Sequence, residues 1–121
     1  MAKKELIVVT TNYVPGMKIT KMVGPTFGLV VRSRGIGGNF MAGLRSLVGG
    51  EIHEYTKMLS DAREDAIERL EANAKGMGAN AVIGMSFDSA DLGDIMTEIV
   101  AYGTAVVVEK DAKASNSVSL R

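Results

Sequence analysis

The sequence predicts an α+β domain in which mainly antiparallel strands pack around one long helix. Between Glu51 and Lys75, apolar residues recur every three or four positions, which is the periodicity of one buried helical face. On both sides of this helix, runs rich in valine, isoleucine and threonine are bounded by glycine, proline or asparagine, as strands usually are. The chain has 121 residues and 46% hydrophobic content, so we assign residues 1–109 to a single domain.

Two strands are expected before the helices. Residues 6–11, LIVVTT, form the first strand, and residues 17–34 form a second, long strand that bends near Gly24. The segment RGIGGN, residues 34–39, has three glycines in four positions and cannot continue regular structure. A short helix, FMAGLRSLV at residues 40–48, is expected to follow it.

Two further strands are expected after the long helix, which ends at GMG, residues 76–78, in a left-handed C-cap. Residues 80–89 alternate between a more apolar and a more polar face, as a strand does. We interpret ADLGD, residues 90–94, as the hairpin loop and residues 95–109 as the last strand. Residues 110–121 are small and polar and predict a disordered tail. The predicted order is therefore β-β-α(short)-α(long)-β-β.

Composition and charge exclude several classes of function. Fourteen basic residues balance fourteen acidic ones, so no global positive field favours nucleic acid or an anionic membrane. Without cysteine there is no disulfide framework, thiolate zinc site or cysteine nucleophile. No apolar run approaches the ~18 residues of a membrane helix, and the run Leu6–Val9 is too short for a signal peptide. We expect a cytoplasmic protein whose partners include neither nucleic acid nor a membrane.

Two strand segments carry more apolar surface than one helix can cover. The segments GLVVRS, residues 28–33, and TAVVVE, residues 104–109, have branched aliphatic side chains on both faces. Because large apolar patches are seldom left in water, we expect other subunits to cover the second face. The sequence therefore predicts a homo-oligomer.

The order of short motifs is similar to that of a known family. The motifs are RSRG at 32–35, GNF at 38–40, LR at 44–45, GGE with YT at 49–56, AREDAIERL at 62–70, GANAVIGMSFD at 78–88 and EIVAYGTAVVV at 98–108. Together they resemble the YbjQ-like family of small prokaryotic proteins, for which heavy-metal binding has been suggested, over nearly all of residues 6–109. The resemblance implies a dodecin-subunit-like fold, a ring-shaped homopentamer and a divalent metal ion as cofactor.

Glu51, His53 and Glu54 are the first candidate metal ligands. Carboxylate and imidazole groups suit zinc, nickel or iron, but the His-Glu-x-x-His pattern of metalloproteases is absent because Lys57 takes the fourth position after His53. The competing interpretation is an acidic first helical turn, favoured by the helix dipole, with an exposed histidine. Within the family motif, Glu51 and Tyr55 match, whereas His53 lies where histidine is not required.

Asp88, Asp91 and Asp94 are a second candidate set, spaced three residues apart. Carboxylates on one flexible loop suit a hard cation such as calcium, although the order fits no EF-hand. Asx turns and a negatively charged loop explain the same pattern.

The segment Arg34, Gly35, Gly37, Gly38 and Asn39 is a candidate for binding an anion or another small ligand. Backbone amides at the start of a helix attract anions, but neither the dinucleotide fingerprint nor a P-loop is complete. The alternative is a sharp strand-to-helix turn that needs glycine for its backbone angles.

No arrangement of residues points to catalysis. The Gly-x-Ser-x-Gly elbow is absent, and no carboxylate pair stands out. We therefore expect a non-enzymatic protein that binds a metal ion. A structural or interaction module, or an anion binder at residues 35–39, remains an open alternative.

Overall fold

A computed structural model describes residues 6–33, 53–93 and 96–111, with side chains described from Thr56 onward in the second range. The elements are strand β1 (Ile7–Val8), strand β2 (Met17–Ser33), helix α1 (His53–Gly76), strand β3 (Ala81–Leu92) and strand β4 (Met96–Lys110). The predicted α+β class is confirmed. The expected short helix at 40–48 lies outside the described residues, as do residues 112–121 of the expected tail 110–121, whereas Lys110 is the last residue of β4.

The four strands form one mixed sheet in the order β1-β3-β4-β2. Strands β2, β4 and β3 are antiparallel neighbours, whereas β1 runs parallel to β3. The residues after β1 continue this pairing, since Gly84 N donates to Thr11 O at 2.8 Å and Met85 N donates to Val9 O at 3.0 Å. Strand β2 is consequently one edge of the sheet, and β3 beyond Met85 is the other.

The bend predicted in the second strand is present. The register of β2 against β4 shifts between Ile19 and Lys21 and again between Met22 and Gly24, and Gly24 has φ 143°. A side chain rarely adopts this backbone angle, so glycine permits the irregularity. Pro25 follows at the sheet edge, where a missing N–H costs no hydrogen bond within the sheet.

Helix α1 packs on the sheet through a stripe of small residues. Ala62, Ala66, Leu70 and Ala74 recur every four residues, and all are fully buried. Three alanines let the helix backbone approach the sheet so closely that it meets Gly28 of β2 directly. The periodicity that predicts the helix therefore also marks its contact face. Within the described residues, no helix is long and apolar enough to cross a membrane.

The end of α1 is a Schellman motif. Ala79 N donates to Ala74 O and Gly78 N donates to Lys75 O, both at 3.0 Å, while Gly78 has φ 93°. The buried Ala74 and Ala79 provide the apolar pair that accompanies such caps. The C-cap predicted from GMG is confirmed, and its left-handed residue is Gly78.

The hairpin between β3 and β4 is tighter than predicted. Strand β3 continues to Leu92, which pairs with Met96, so residues 90–92 belong to the strand and not to a loop. The turn begins at Gly93 with φ 73°. The prediction was wrong here because pairing with β4 overrides the low strand propensity of Ala90 and Asp91.

Apolar residues are buried on both faces of the sheet. The main core lies between α1 and the sheet, and a second cluster on the opposite face contains Val14, Ala81, Ile83, Val106 and Val108. Residues 7–17 of the same chain cover this second cluster. The N-terminal segment therefore buries part of the apolar surface of TAVVVE within the subunit, and the expectation that other subunits cover apolar surface of the sheet stays a prediction.

Candidate functional site

The half of the sheet that the N-terminal segment leaves uncovered carries an apolar surface. Phe27, Leu29 and Val31 of β2 point away from the helix, whereas the residues between them face it. The exposed fractions of these three side chains are 55%, 45% and 47%. Tyr102 of β4 pairs with Phe27 and is 39% exposed, and the half-buried Val100 pairs with Leu29. We call these five residues the outer apolar face.

Polar residues border the outer apolar face on the side of β3. Ser86 pairs with Tyr102, Asp88 pairs with Val100, and Ala90 pairs with Glu98. The pairing residues share one face of the sheet, so Asp88 and Glu98 lie beside the apolar residues. An apolar centre with a polar border is the usual composition of a contact surface between proteins.

Helix α1 occupies part of the edge of β2 next to this face. Arg69 Nη1 donates to Leu29 O at 2.7 Å, and Asn73 Nδ2 donates to Phe27 O at 2.6 Å. These carbonyl groups would otherwise be available to an added strand. A partner is thus more easily accommodated on the outer apolar face than along this part of the edge.

A second feature is an open cleft between the first half of α1 and the end of β2. Arg32, Lys57, Met58 and Asp61 line a volume of about 340 Å³, and we call it the charged cleft. The Arg32 guanidinium donates to an Asp65 carboxylate oxygen, and Lys57 Nζ lies 3.2 Å from Asp61 Oδ2. Every charged group named here therefore has an opposite charge beside it.

The first predicted metal set lies at the start of α1. Glu51 is outside the described residues, and His53 and Glu54 form the first positions of the helix, with side chains that are not described. A helix that begins at His53 places Glu54 in its first turn, where the helix dipole favours a carboxylate. Both interpretations of this set, the metal site and the acidic first turn, stay predictions.

The second predicted metal set is not brought to one face of the sheet. Asp88 and Asp91 both lie in β3 and pair with Val100 and Thr97, and their odd separation places them on opposite faces. Asp88 Oδ1 accepts a hydrogen bond from Ser89 N at 2.9 Å, and Asp94 lies outside the described residues. No cluster of three or more His, Asp or Glu side chains suited to a metal ion occurs within residues 6–33, 56–93 and 96–111.

The predicted small-ligand segment, Arg34 to Asn39, also lies outside the described residues. It follows β2 directly, and Arg32 of the charged cleft is the last residue but one of that strand. The cleft leaves no signal in the sequence, because its lining comes from β2 and α1, which are separated along the chain. The outer apolar face did leave a signal, namely alternating Phe27, Leu29 and Val31.

Within the described residues, these features define a small α+β domain with one long helix and an incompletely covered sheet. A family model for YbjQ, described as "Putative heavy-metal-binding", matches residues 6–109, and the chain belongs to this family. The predicted family resemblance is confirmed.

Two relatives are similar to the chain over most of their length. A UPF0145 protein from Methanoregula boonei is 61% identical over 116 residues, which cover 96% of this chain and 97% of that protein. A UPF0145 protein from Thermoplasma volcanium is 66% identical over 104 residues, which cover 86% and 85% of the two chains.

A solved structure supports the fold. The chain matches a protein of unknown function from Pediococcus pentosaceus, assigned to the DUF74 family, with a TM-score of 0.57 and 14% identity. The match covers 86% of this chain and 98% of the other.

Proposed function

We propose that this protein is a non-enzymatic, cytoplasmic binding protein that works as a homo-oligomer, and that the oligomer is a ring-shaped pentamer. The observation that carries the assembly is the outer apolar face. Phe27, Leu29 and Val31 are each about half exposed on one strand, and Tyr102 and Val100 extend the same surface. Monomeric proteins rarely leave such a contiguous apolar surface in water, because its burial contributes roughly 25 cal/mol per Å².

A second copy of the chain is the partner that this surface fits best. Stable interfaces bury about 800 Å² on each partner and combine an apolar centre with a polar border. The outer apolar face supplies such a centre, and Asp88 and Glu98 contribute to its border. In a ring, each subunit contacts two neighbours through two different surfaces. The outer apolar face of one subunit therefore contacts a different surface of the next subunit.

Replacing Leu29 with glutamate is expected to dissociate the oligomer. A carboxylate at the centre of a buried apolar contact loses its hydration without gaining a partner. Size-exclusion chromatography with light scattering should give about five times the subunit mass of 12.8 kDa for the original chain and one subunit for Leu29→Glu.

Met77→Glu is the matched control, because Met77 follows α1, is 40% exposed and lies away from the outer apolar face. This variant should keep the mass of the original oligomer. A monomeric original chain would contradict the assembly, and an unchanged mass for Leu29→Glu would contradict the choice of surface.

We further propose that the oligomer binds a divalent metal ion through Glu51, His53 and Glu54. The family description supports a metal ion, and Glu51, His53 and Glu54 are close together in the sequence and offer carboxylate and imidazole ligands. Of the three, Glu51 is the residue that also matches the family motif. We therefore assign Glu51 the larger contribution and His53 the smaller one.

Glu51→Gln is expected to abolish retention of the metal ion, whereas His53→Asn should weaken it less. The measurements are elemental analysis of the purified oligomer and melting temperature with zinc, copper, nickel or cadmium. Ligand at a hundredfold excess over its Kd stabilises the folded state by about 2.7 kcal/mol, which a melting curve resolves.

Glu68→Gln is the control for this prediction, since it removes one exposed carboxylate of α1 outside the proposed site. Finding no retained ion and no shift in melting temperature for any of the four metals would leave the structural or interaction module as the function.

A further inference from the structure

We infer that the charged cleft binds a small dipolar molecule that carries both a carboxylate and an ammonium group, of the α-amino acid type. This site goes beyond the proposed metal binding and does not depend on it. It uses described residues of β2 and α1, and its lining residues are Arg32, Lys57, Met58 and Asp61.

The charges beside the cleft follow a fixed order. Lys57, Asp61 and Asp65 are spaced four residues apart on α1, so they lie on one face of the helix in consecutive turns. Lys57 pairs with Asp61, and Arg32 of β2 pairs with Asp65. The order of charges is therefore a cation (Lys57), two carboxylates (Asp61 and Asp65) and a second cation (Arg32).

This order favours a dipolar ligand over a simple ion. A free anion that approaches Arg32 or Lys57 must compete with the carboxylate that each cation already contacts. A molecule with both charges brings an ammonium group to Asp61 and Asp65 together with a carboxylate for the cations, so no charge of the two existing ion pairs is left without a partner. Its carboxylate can then accept from Arg32, whose guanidinium has five N–H groups and is planar enough to bind two acceptors.

A buried hydroxyl group near Arg32 provides independent support. Thr97 pairs directly with Arg32 across the β2–β4 register, on the face of the sheet that α1 covers. Its side chain is 5% exposed, and within the described part of the chain Thr97 Oγ1 is a buried polar atom without a hydrogen-bond partner. A buried hydroxyl group normally has such a partner, so a bound water molecule beside Arg32 would satisfy it and extend the polar lining of the cleft.

The dimensions of the cleft suit a molecule of this size. A volume of about 340 Å³ is at the lower end of the range for small-molecule sites, which is roughly 300–1,000 Å³. Met58 adds an adaptable apolar wall for an aliphatic side chain. The ion pairs are more than one-third exposed, so water screens them and we expect a Kd in the millimolar range, about 1 mM.

Three matched probes test this inference with the full chain. L-Leucine carries both charges, isocaproate lacks the ammonium group, and isoamylamine lacks the carboxylate. Titrations followed by amide NMR should give saturable shifts at Arg32, Lys57 and Asp61 with L-leucine. Each half-molecule should bind about tenfold more weakly, because it loses one charge-assisted contact.

Two variants locate the site. Asp61→Asn keeps the size of the side chain and should weaken L-leucine binding about tenfold, and Arg32→Gln should weaken it at least as much. Lys18→Gln and Glu68→Gln remove exposed charges outside the cleft and should leave the Kd unchanged. Melting curves of each variant establish that the fold is retained.

Three outcomes would overturn the inference. Isocaproate binding as tightly as L-leucine would indicate a plain anion site, and equal binding of isoamylamine would indicate a plain cation site. Absence of any saturable shift up to about twenty times the expected Kd would exclude a site for this ligand class. None of these outcomes bears on the metal retention or the oligomeric mass tested above.

Discussion

Gly28→Ala is expected to lower the free energy of unfolding by at least about 3 kcal/mol, which is the upper end of the usual range for overpacking. A Cβ atom at this position would collide with Ala66 O and would lie 2.5 Å from Leu70 N. Both atoms belong to the backbone of α1, so no side-chain rotation can relieve the collision. The helix would have to move away from β2, and this movement would open the core that contains Leu70. Urea unfolding followed by circular dichroism measures the change.

Gly76→Ala is the matched control for this prediction. Gly76 is the last residue of α1, and a Cβ atom added there meets nothing within 4 Å. Alanine is also the better helix former, so we expect no loss of stability and a gain of up to about 1 kcal/mol. If Gly28→Ala unfolded at the same urea concentration as Gly76→Ala, the close approach of α1 to β2 would be incorrect.

Asn80→Ala is expected to cost about 2–4 kcal/mol, because two hydrogen bonds to one buried residue are lost together. Asn80 Nδ2 donates to Val108 O at 3.0 Å, and Val108 N donates to Asn80 Oδ1 at 2.8 Å. The side-chain amide thus takes the place of a backbone peptide group next to β4. Val108 is 4% exposed, whereas Asn80 is exposed, so water replaces the lost partners of Val108 only in part. Thermal and urea unfolding provide the measurement.

Two other substitutions make this prediction quantitative. Asn80→Asp keeps the acceptor, and only its protonated form keeps a donor, so it should cost less than Asn80→Ala when the aspartate is protonated and more when it is ionised beside Val108 O. Asn73→Ala removes a single exposed hydrogen bond to Phe27 O and should cost about 1 kcal/mol or less. Equal costs for Asn80→Ala and Asn73→Ala would contradict the role given to the Asn80 amide.

Most secondary structure was predictable because its determinants are local. The four-residue spacing of Ala62, Ala66, Leu70 and Ala74 marks the buried side of α1. The glycines of GMG mark its C-cap, and the bend of β2 lies where Gly24 interrupts an apolar run. Each prediction depends on backbone angles or side-chain periodicity within a few neighbouring residues. Residues 90–92 were misassigned for the converse reason, since their pairing partners lie across the turn.

The candidate sites also differ in whether their determinants are local in the sequence. Alternating Phe27, Leu29 and Val31 can be recognised in the sequence as an apolar face of a strand. The homo-oligomer was predicted from the segments GLVVRS and TAVVVE, the first of which contains Leu29 and Val31. The sequence does not reveal which face the chain covers itself. Residues 7–17 pack against Val106 and Val108 but leave Tyr102 39% exposed, and only the fold establishes that difference.

By itself, the sequence determined the α+β class, the long helix with its cap, the family, and the presence of two strand segments with apolar side chains on both faces. Local backbone preference and hydrophobic periodicity act over a few residues and can be recognised without coordinates. Tertiary structure alone decided that α1 lies against Gly28 and that Arg32 meets Asp65 beside Lys57 and Asp61. It also decided that Asp88 and Asp91 lie on opposite faces of β3. These relations depend on strand register and on contacts between residues that are distant in the sequence. Both are fixed only when the whole chain buries one common core.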